Sequence, residues 1–243
     1  MIAIQGSGGK STILKNISQQ LSLKHKVCCF TTTKMETCQL DFVQKIYETF
    51  TDYFNDKEPP HLAAVGIKDQ VHIKTPMQVL DFELLASEKA QNIIFVYEAD
   101  GAHRLPLKIN KNDPVFLPQT THVISVIGLQ CFNQPIKNVC FRSNLFIEKY
   151  NQVTNKIVNE EQIIGFEELE FARNDYIQQW NEWQCNWRNF NYQFETKNNQ
   201  TAVQHVFNQI DLVKQDTIQE LRRKYANDAF GHEDIIKIVS EWF

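Results

Sequence analysis

The stretch Ile2-Ala3-Ile4-Gln5-Gly6-Ser7-Gly8-Gly9-Lys10-Ser11-Thr12-Ile13-Leu14 decides the fold. Ile2 to Gln5 is a short, mainly apolar run, Gly6 to Gly9 is a glycine-rich turn, and Lys10 to Leu23 places Ile13, Leu14, Ile17 and Leu21 at helical spacing. Strand, loop and helix in that order are the setting in which such a loop cradles phosphate. Backbone amides and the helix N-terminus face the phosphate oxygens, glycines keep side chains out of the way, and a lysine adds charge at the outer phosphates. Gly6, Ser7, Gly8, Gly9, Lys10, Ser11 and Thr12 are the expected contacts with a nucleoside triphosphate, and Ser11 is expected to place its hydroxyl on Mg2+.

Ile4 stands where the first glycine of a Walker A loop would be, so the loop has the shorter Gly-x-x-Gly-Lys-Ser/Thr form seen in Mur ligases. Such a loop needs an acidic group at the end of another strand, to hold the magnesium or a water in its shell. Ile93 to Tyr97 is a continuous apolar run, suited to a parallel strand buried on both faces, and it delivers Glu98 and Asp100. Alternation along the strand predicts that both carboxylates face the same way, with Gly101 allowing a sharp exit. Lys10, Glu98 and Asp100 are the expected catalytic groups; Ser11, Glu98 and Asp100 are the expected metal ligands, with Asp100 also a candidate to position an attacking water.

Further strands are predicted over Val27–Phe30, Val123–Ile127 and Ala202–Phe207, and helices around Pro76–Ala90, Leu145–Tyr150, Glu160–Glu170, Ile218–Tyr225 and Glu233–Trp242. Ala63–Val65 and Val71–Ile73 suggest a small hairpin-like element, and Asn55–Pro60 a surface turn. Strands alternating with helices predict an α/β chain, a P-loop NTPase-like three-layer fold around a mostly parallel central sheet. One domain over 1–243 is expected, with a tryptophan-rich helical segment at about 173–195. Within that segment Trp180, Trp183, Trp187, Phe190 and Phe194 recur on one helical face, as core packing or as a partner or homodimer surface.

Other residues point to the same crevice. Thr33 and Lys34 follow the second strand and are candidate contacts to phosphate, magnesium or a second substrate; Arg104 and Lys108 follow the acidic strand end with His103 and are candidates to bind an anionic substrate, with a solvated basic loop as the plain alternative. Arg142 could reach the site, and His122 reads as structural. Asn208-Gln209-Ile210-Asp211 follows a strand and is similar to the guanine-reading Asn-Lys-x-Asp of GTPases, with Asp211 on the base and Asn208 steadying the loop; an ordinary turn would use the same residues. GTP and ATP both remain candidates.

A net charge of -4 gives no basic footprint for nucleic acid or an anionic membrane. No apolar run approaches spanning length, so a cytoplasmic location is expected. The six cysteines show no Cys-x-x-Cys or zinc-finger spacing and are expected as free thiols.

Gly6 to Thr12, Thr31 to Lys34, Glu98-Ala99-Asp100-Gly101, Leu105-Pro106-Leu107-Lys108, Thr120 to Ile124, Val126 to Leu129 and Asn208 to Asp211 together resemble the YqeC-type family, named for accessory factors of selenium-dependent molybdenum hydroxylases. The resemblance implies a P-loop fold, nucleotide binding, and a part in maturing a molybdenum hydroxylase client or its cofactor. Three functions fit: a slow NTPase with no identifiable arginine finger, a nucleotide-dependent transferase or ligase acting on a small anionic substrate, and a non-catalytic nucleotide-sensing module.

Overall fold

The computed structural model describes residues 1–76, 80–190 and 202–243, with the backbone alone for 187–190 and 202. In chain order the strands are β1 (Ile2–Gly6), β2 (Lys26–Thr31), β3 (Met35–Glu36), β4 (Lys45–Tyr47), β5 (Leu62–Val65), β6 (Ile67–Lys68), β7 (His72–Lys74), β8 (Ile93–Glu98), β9 (Leu107–Lys108), β10 (His122–Gly128), β11 (Cys140–Phe141), β12 (Ala202–Asn208) and β13 (Ala229–Phe230). The helices are α1 (Lys10–Ser22), α2 (Phe50–Asn55), α3 (Phe82–Ala86), α4 (Ile136–Val139), α5 (Ser143–Thr154), α6 (Phe166–Phe190), α7 (Gln215–Lys224) and α8 (His232–Ser240).

Eight strands form one sheet in the order β13-β12-β10-β1-β8-β2-β5-β4, and every neighbouring pair is parallel. The apolar runs explain this: in a parallel sheet covered on both sides each strand buries both of its faces. Ile2, Ile4, Val27, Cys29, Val96, Ile124 and Val126 pack on one side with Ile13, Leu14 and Ile17 of α1 and Ile235 and Val239 of α8. Their neighbours Ala3, Cys28, Phe30, Phe95, Tyr97 and Val123 pack on the other side with Phe50 and Tyr53 of α2 and Trp180 of α6. The chain leaves β1 for β2, returns to β8 between them, and then crosses to β10 beyond β1. Such a reversal of direction opens a crevice at the carboxyl ends of the strands.

Several expected elements differ. Ala63–Val65 and Val71–Ile73 do not make a hairpin: β5 joins the central sheet between β2 and β4, while β7 pairs antiparallel with β3 and β6. The helix expected over Pro76–Ala90 is reduced to α3 and one 3-10 turn at Glu88–Ala90, and residues 77–79 of it lie outside the described residues. Asp81 caps α3 by accepting from the Leu84 amide at 2.8 Å, which starts the helix later than Pro76. The helix expected from Glu160 begins at Phe166, where the Glu168 carboxylate accepts from the Gly165 amide at 2.9 Å. β4, β13 and α2 are too short to leave a periodic signature.

Trp180, the largest fully buried side chain, meets Phe116 edge-on at 4.8 Å and stacks on Trp183 at 4.9 Å. Core packing therefore accounts for these two; Trp187, Phe190 and Phe194 lie outside the residues with described side chains. The cysteines are free, and among the described residues no helix is long and apolar enough to cross a membrane.

Trp180→Ala should cost about 3–5 kcal/mol in urea unfolding, because the vacated volume lies between the sheet and Phe116. His205 on β12 is buried with neither ring nitrogen hydrogen-bonded, so that burial and then the Arg173 charge push its pKa down to about 3. The unfolded chain takes up a proton near pH 6.5 that the folded chain refuses until about 3, so stability falls as pH drops through that window. His205→Leu should make the stability loss between neutral pH and mild acid smaller by on the order of 2 kcal/mol, measured by urea unfolding at both pH values.

Candidate functional site

Where β1 ends, the chain turns in a space that side chains would fill. Gly6, Gly8 and Gly9 have φ of 92°, 86° and 106°, and a Cβ on Gly8 would lie 2.3 Å from the Gly128 backbone. α1 follows at once, with Gly9 as a cap that offers no side chain, so the first-turn amides keep their outward donors uncapped by the loop. Asn208, at the end of β12, donates from Nδ2 to the Gly8 carbonyl at 2.9 Å and clasps the loop from outside.

Within the loop, Lys10 Nζ folds back to donate to the Gly6 carbonyl at 2.8 Å and lies 3.3 Å from Asp100 Oδ1. Ser11 Oγ donates to Glu98 Oε1 at 2.5 Å. Burial raises the Glu98 pKa, opposed by the Lys10 charge and the Ser11 hydrogen bond. A buried carboxylate held by a hydroxyl, at the foot of a glycine-rich loop, fits Mg2+, which is commonly bound by one or two protein oxygens and the substrate phosphates. Among the described residues no three His, Cys, Asp or Glu side chains gather into a metal cage of their own.

Asp100, expected to share a metal or aim a water, lies buried and outside the cleft lining. It has no exposed surface; its Oδ2 accepts from the Gly6 amide at 2.9 Å and from Lys108 Nζ at 2.7 Å. Lys108 likewise does not stand on a solvated basic loop. It is wholly buried, donates to the Gly101 carbonyl at 3.1 Å, and pairs with Asp113 as well as Asp100. The reason is the short pairing of β9 with β11, which draws Lys108 into the core, where two carboxylates compensate its charge. Asp113 in turn accepts from Arg142 Nη1 at 2.5 Å. Burial works against its ionisation, but Arg142 and Lys108 hold its carboxyl below the usual range. A ladder thus runs Lys10, Asp100, Lys108, Asp113, Arg142. No local signal marks Asp113, since Asn112-Asp113-Pro114 reads as an ordinary turn.

A cleft of about 730 Å³ opens at this end of the sheet, a size that suits a small-molecule ligand. Gly8 to Thr12 and Glu98 line one part; Thr33, Lys34 and Arg104 line another, with His103, Phe141, Arg142 and Gln209. Arg104 is exposed and pairs with Glu36 of β3. Asp211 sits exposed in a 3-10 turn beyond Gln209, outside the cleft lining. His122 stacks on Trp242 at 4.4 Å, away from the cleft.

The parallel sheet and its glycine loop at the switch point define an α/β protein with a phosphate-loop type of β1–α1 turn. The chain belongs to the YqeC family, whose model, described as YqeC protein, matches residues 2–144, more than half of the 243. No curated protein and no solved structure gives a significant match.

Because Asp100 compensates Lys10 and Lys108 together, Asp100→Ala should destabilise the protein by about 3–5 kcal/mol, the cost of stranding buried charge. Urea unfolding within 1 kcal/mol of wild type, roughly the worth of an exposed pair, would show that the ladder contributes no more than surface pairs do.

Proposed function

We propose that this chain binds a magnesium-loaded nucleoside triphosphate, GTP or ATP, on Gly6 to Thr12 and hydrolyses it slowly, as an accessory step in maturing a molybdenum hydroxylase or its cofactor. The observation that carries the reading is the Ser11–Glu98 hydrogen bond of 2.5 Å beside a lysine parked on its own loop. Ser11 Oγ and Glu98 are the oxygens to hold the metal. Lys10 has an alternative partner when phosphate is absent, and exchanging the Gly6 carbonyl for a phosphate oxygen lets it stabilise the outer phosphates. Bound magnesium would neutralise charge on the β- and γ-phosphates. Water attacks the γ-phosphorus, the bond to the bridging oxygen breaks, and inorganic phosphate and the diphosphate leave.

Asn208 supports the guanine reading by clasping Gly8 from the Asn-x-x-Asp segment, and Asp211 is the group that would read the base. The family resemblance supports the client, which the geometry leaves open, and the absence of a basic footprint supports a small molecule over nucleic acid.

Thermal unfolding with Mg2+ and GTP, ATP, GDP or no nucleotide tests the reading. Nucleotide at a hundredfold its Kd should stabilise wild type by about 2.7 kcal/mol. The rise should vanish in Lys10→Ala, and Ser11→Ala should lose its magnesium dependence. A wild type unmoved by every nucleotide overturns the proposal; a larger rise with ATP than with GTP removes the role of Asp211.

A further inference from the structure

The nucleotide reading uses the loop end of the cleft and leaves its opposite wall unassigned. That wall carries His103 and Arg104 from the turn after β8, and Phe141 and Arg142 at the end of β11. Three observations set it apart.

The first is backbone conformation. Six non-glycine residues have left-handed φ among the described residues. Two of them, Asn133 and Asn155, lie outside the cleft lining and are of the type that tolerates this conformation best. The other four, His103, Arg104, Arg142 and Gln209, all line the cleft. Glycine or asparagine would relieve these turns, so side chains with donors are kept there against a local cost, a pattern that gathers at functional sites.

The second is the setting of Arg142. Its Nη1 donates to Asp113 Oδ1 at 2.5 Å and to the Ile109 carbonyl at 3.2 Å. Its guanidinium lies 4.8 Å from the Phe141 ring, which also packs against His103 at 4.4 Å. Among the described residues the remaining guanidinium donors have no protein acceptor. A guanidinium fixed at one nitrogen and stacked on a ring is a preset fork for a planar or tetrahedral oxyanion.

The third is charge. In the ladder Lys10, Asp100, Lys108, Asp113, Arg142, three cations share two carboxylates, and Glu98, which faces the Lys10 charge, supplies the third, so this group is balanced. The unbalanced positive charge at the cleft surface is Lys34, since Glu36 is matched by Arg104, and His103 adds a ring nitrogen to the same lining.

We propose that this wall is a second anion subsite, which takes the phosphate or carboxylate group of a small acceptor molecule, with Arg142 as the forked receptor and His103 and Arg104 at its rim. Only the word acceptor rests on the nucleotide reading; the subsite itself does not.

Calorimetric titration with inorganic phosphate, on wild type alone and on wild type saturated with Mg2+ and GDP or ADP, tests it. Phosphate should still bind when the nucleotide is present. Arg142→Gln should weaken phosphate binding by about tenfold to a hundredfold, the worth of a charged hydrogen bond. Arg142→Lys, which keeps the charge and loses the fork, should fall between. Acetate bound with the same dependence on Arg142 supports the subsite and makes the acceptor a carboxylate. Phosphate displaced by nucleotide sits on the loop and overturns the proposal, as does an unchanged affinity in Arg142→Gln. Should Arg142→Gln fail to fold, the doubly substituted His103→Gln, Arg104→Gln chain decides, since both residues lie on an exposed turn; an unchanged affinity there overturns the subsite. If nucleotides fail to bind while phosphate titrates with Arg142 dependence, the nucleotide reading falls and the subsite stands.

Discussion

The arrangement hangs on one buried carboxylate. Asp100 receives the amide of Gly6, faces the ammonium of Lys10 and pairs with that of Lys108, all without solvent. β1 and β8 are paired so that Ile4 lies beside Glu98, which sets Gly6 next to Asp100 two residues on. A charge taken out of water is costly unless it is paired and hydrogen-bonded. Here one anion meets that condition by tying the glycine loop to the neighbouring strand end. The loop's shape is thereby a consequence of electrostatics as much as of its glycines.

What could be read from the sequence was what local chemistry encodes. Glycines before Lys10-Ser11 leave a fixed spacing, and Ile93 to Tyr97 is apolar at every position, so loop, acidic strand and parallel sheet were legible. Lys108 and Asp113 were not, because their partners come from other segments: Asp100 is eight residues from Lys108, and Arg142 is 29 from Asp113. A lysine buried between two carboxylates and a lysine on a wet loop look alike as letters. The same holds for β4 and β13, which owe their strand form to neighbours already in the sheet. Asp81 and Glu168, which set where α3 and α6 begin, act through single hydrogen bonds that apolar periodicity does not record.

The family match ends at residue 144, yet the floor of the site does not. α6 supplies Tyr176, which donates to the Lys108 carbonyl at 3.1 Å, and whose own carbonyl accepts from Gln5 Nε2 at 3.3 Å. One turn further along the same helix, Trp180 belongs to the core beneath β1 and β8. Asp175, next to Tyr176 in the chain, accepts from the Asn110 amide and from Lys149 at 2.7 Å. The later part of the chain thus braces the loop segment that holds Lys108, and the two parts share one hydrophobic interior.

The clasp from Asn208 to Gly8 spans 200 positions. At a synthesis rate of roughly 5–20 residues per second, the two ends of that bond leave the ribosome on the order of ten to forty seconds apart. β1 emerges before its sheet partners β8 and β10, which follow it much later in the sequence. A growing chain therefore exposes its glycine loop early and can shape it only late. Until then the loop is an open turn without neighbouring strand, carboxylate or latch, so a truncated product lacks the contacts that give the loop its shape.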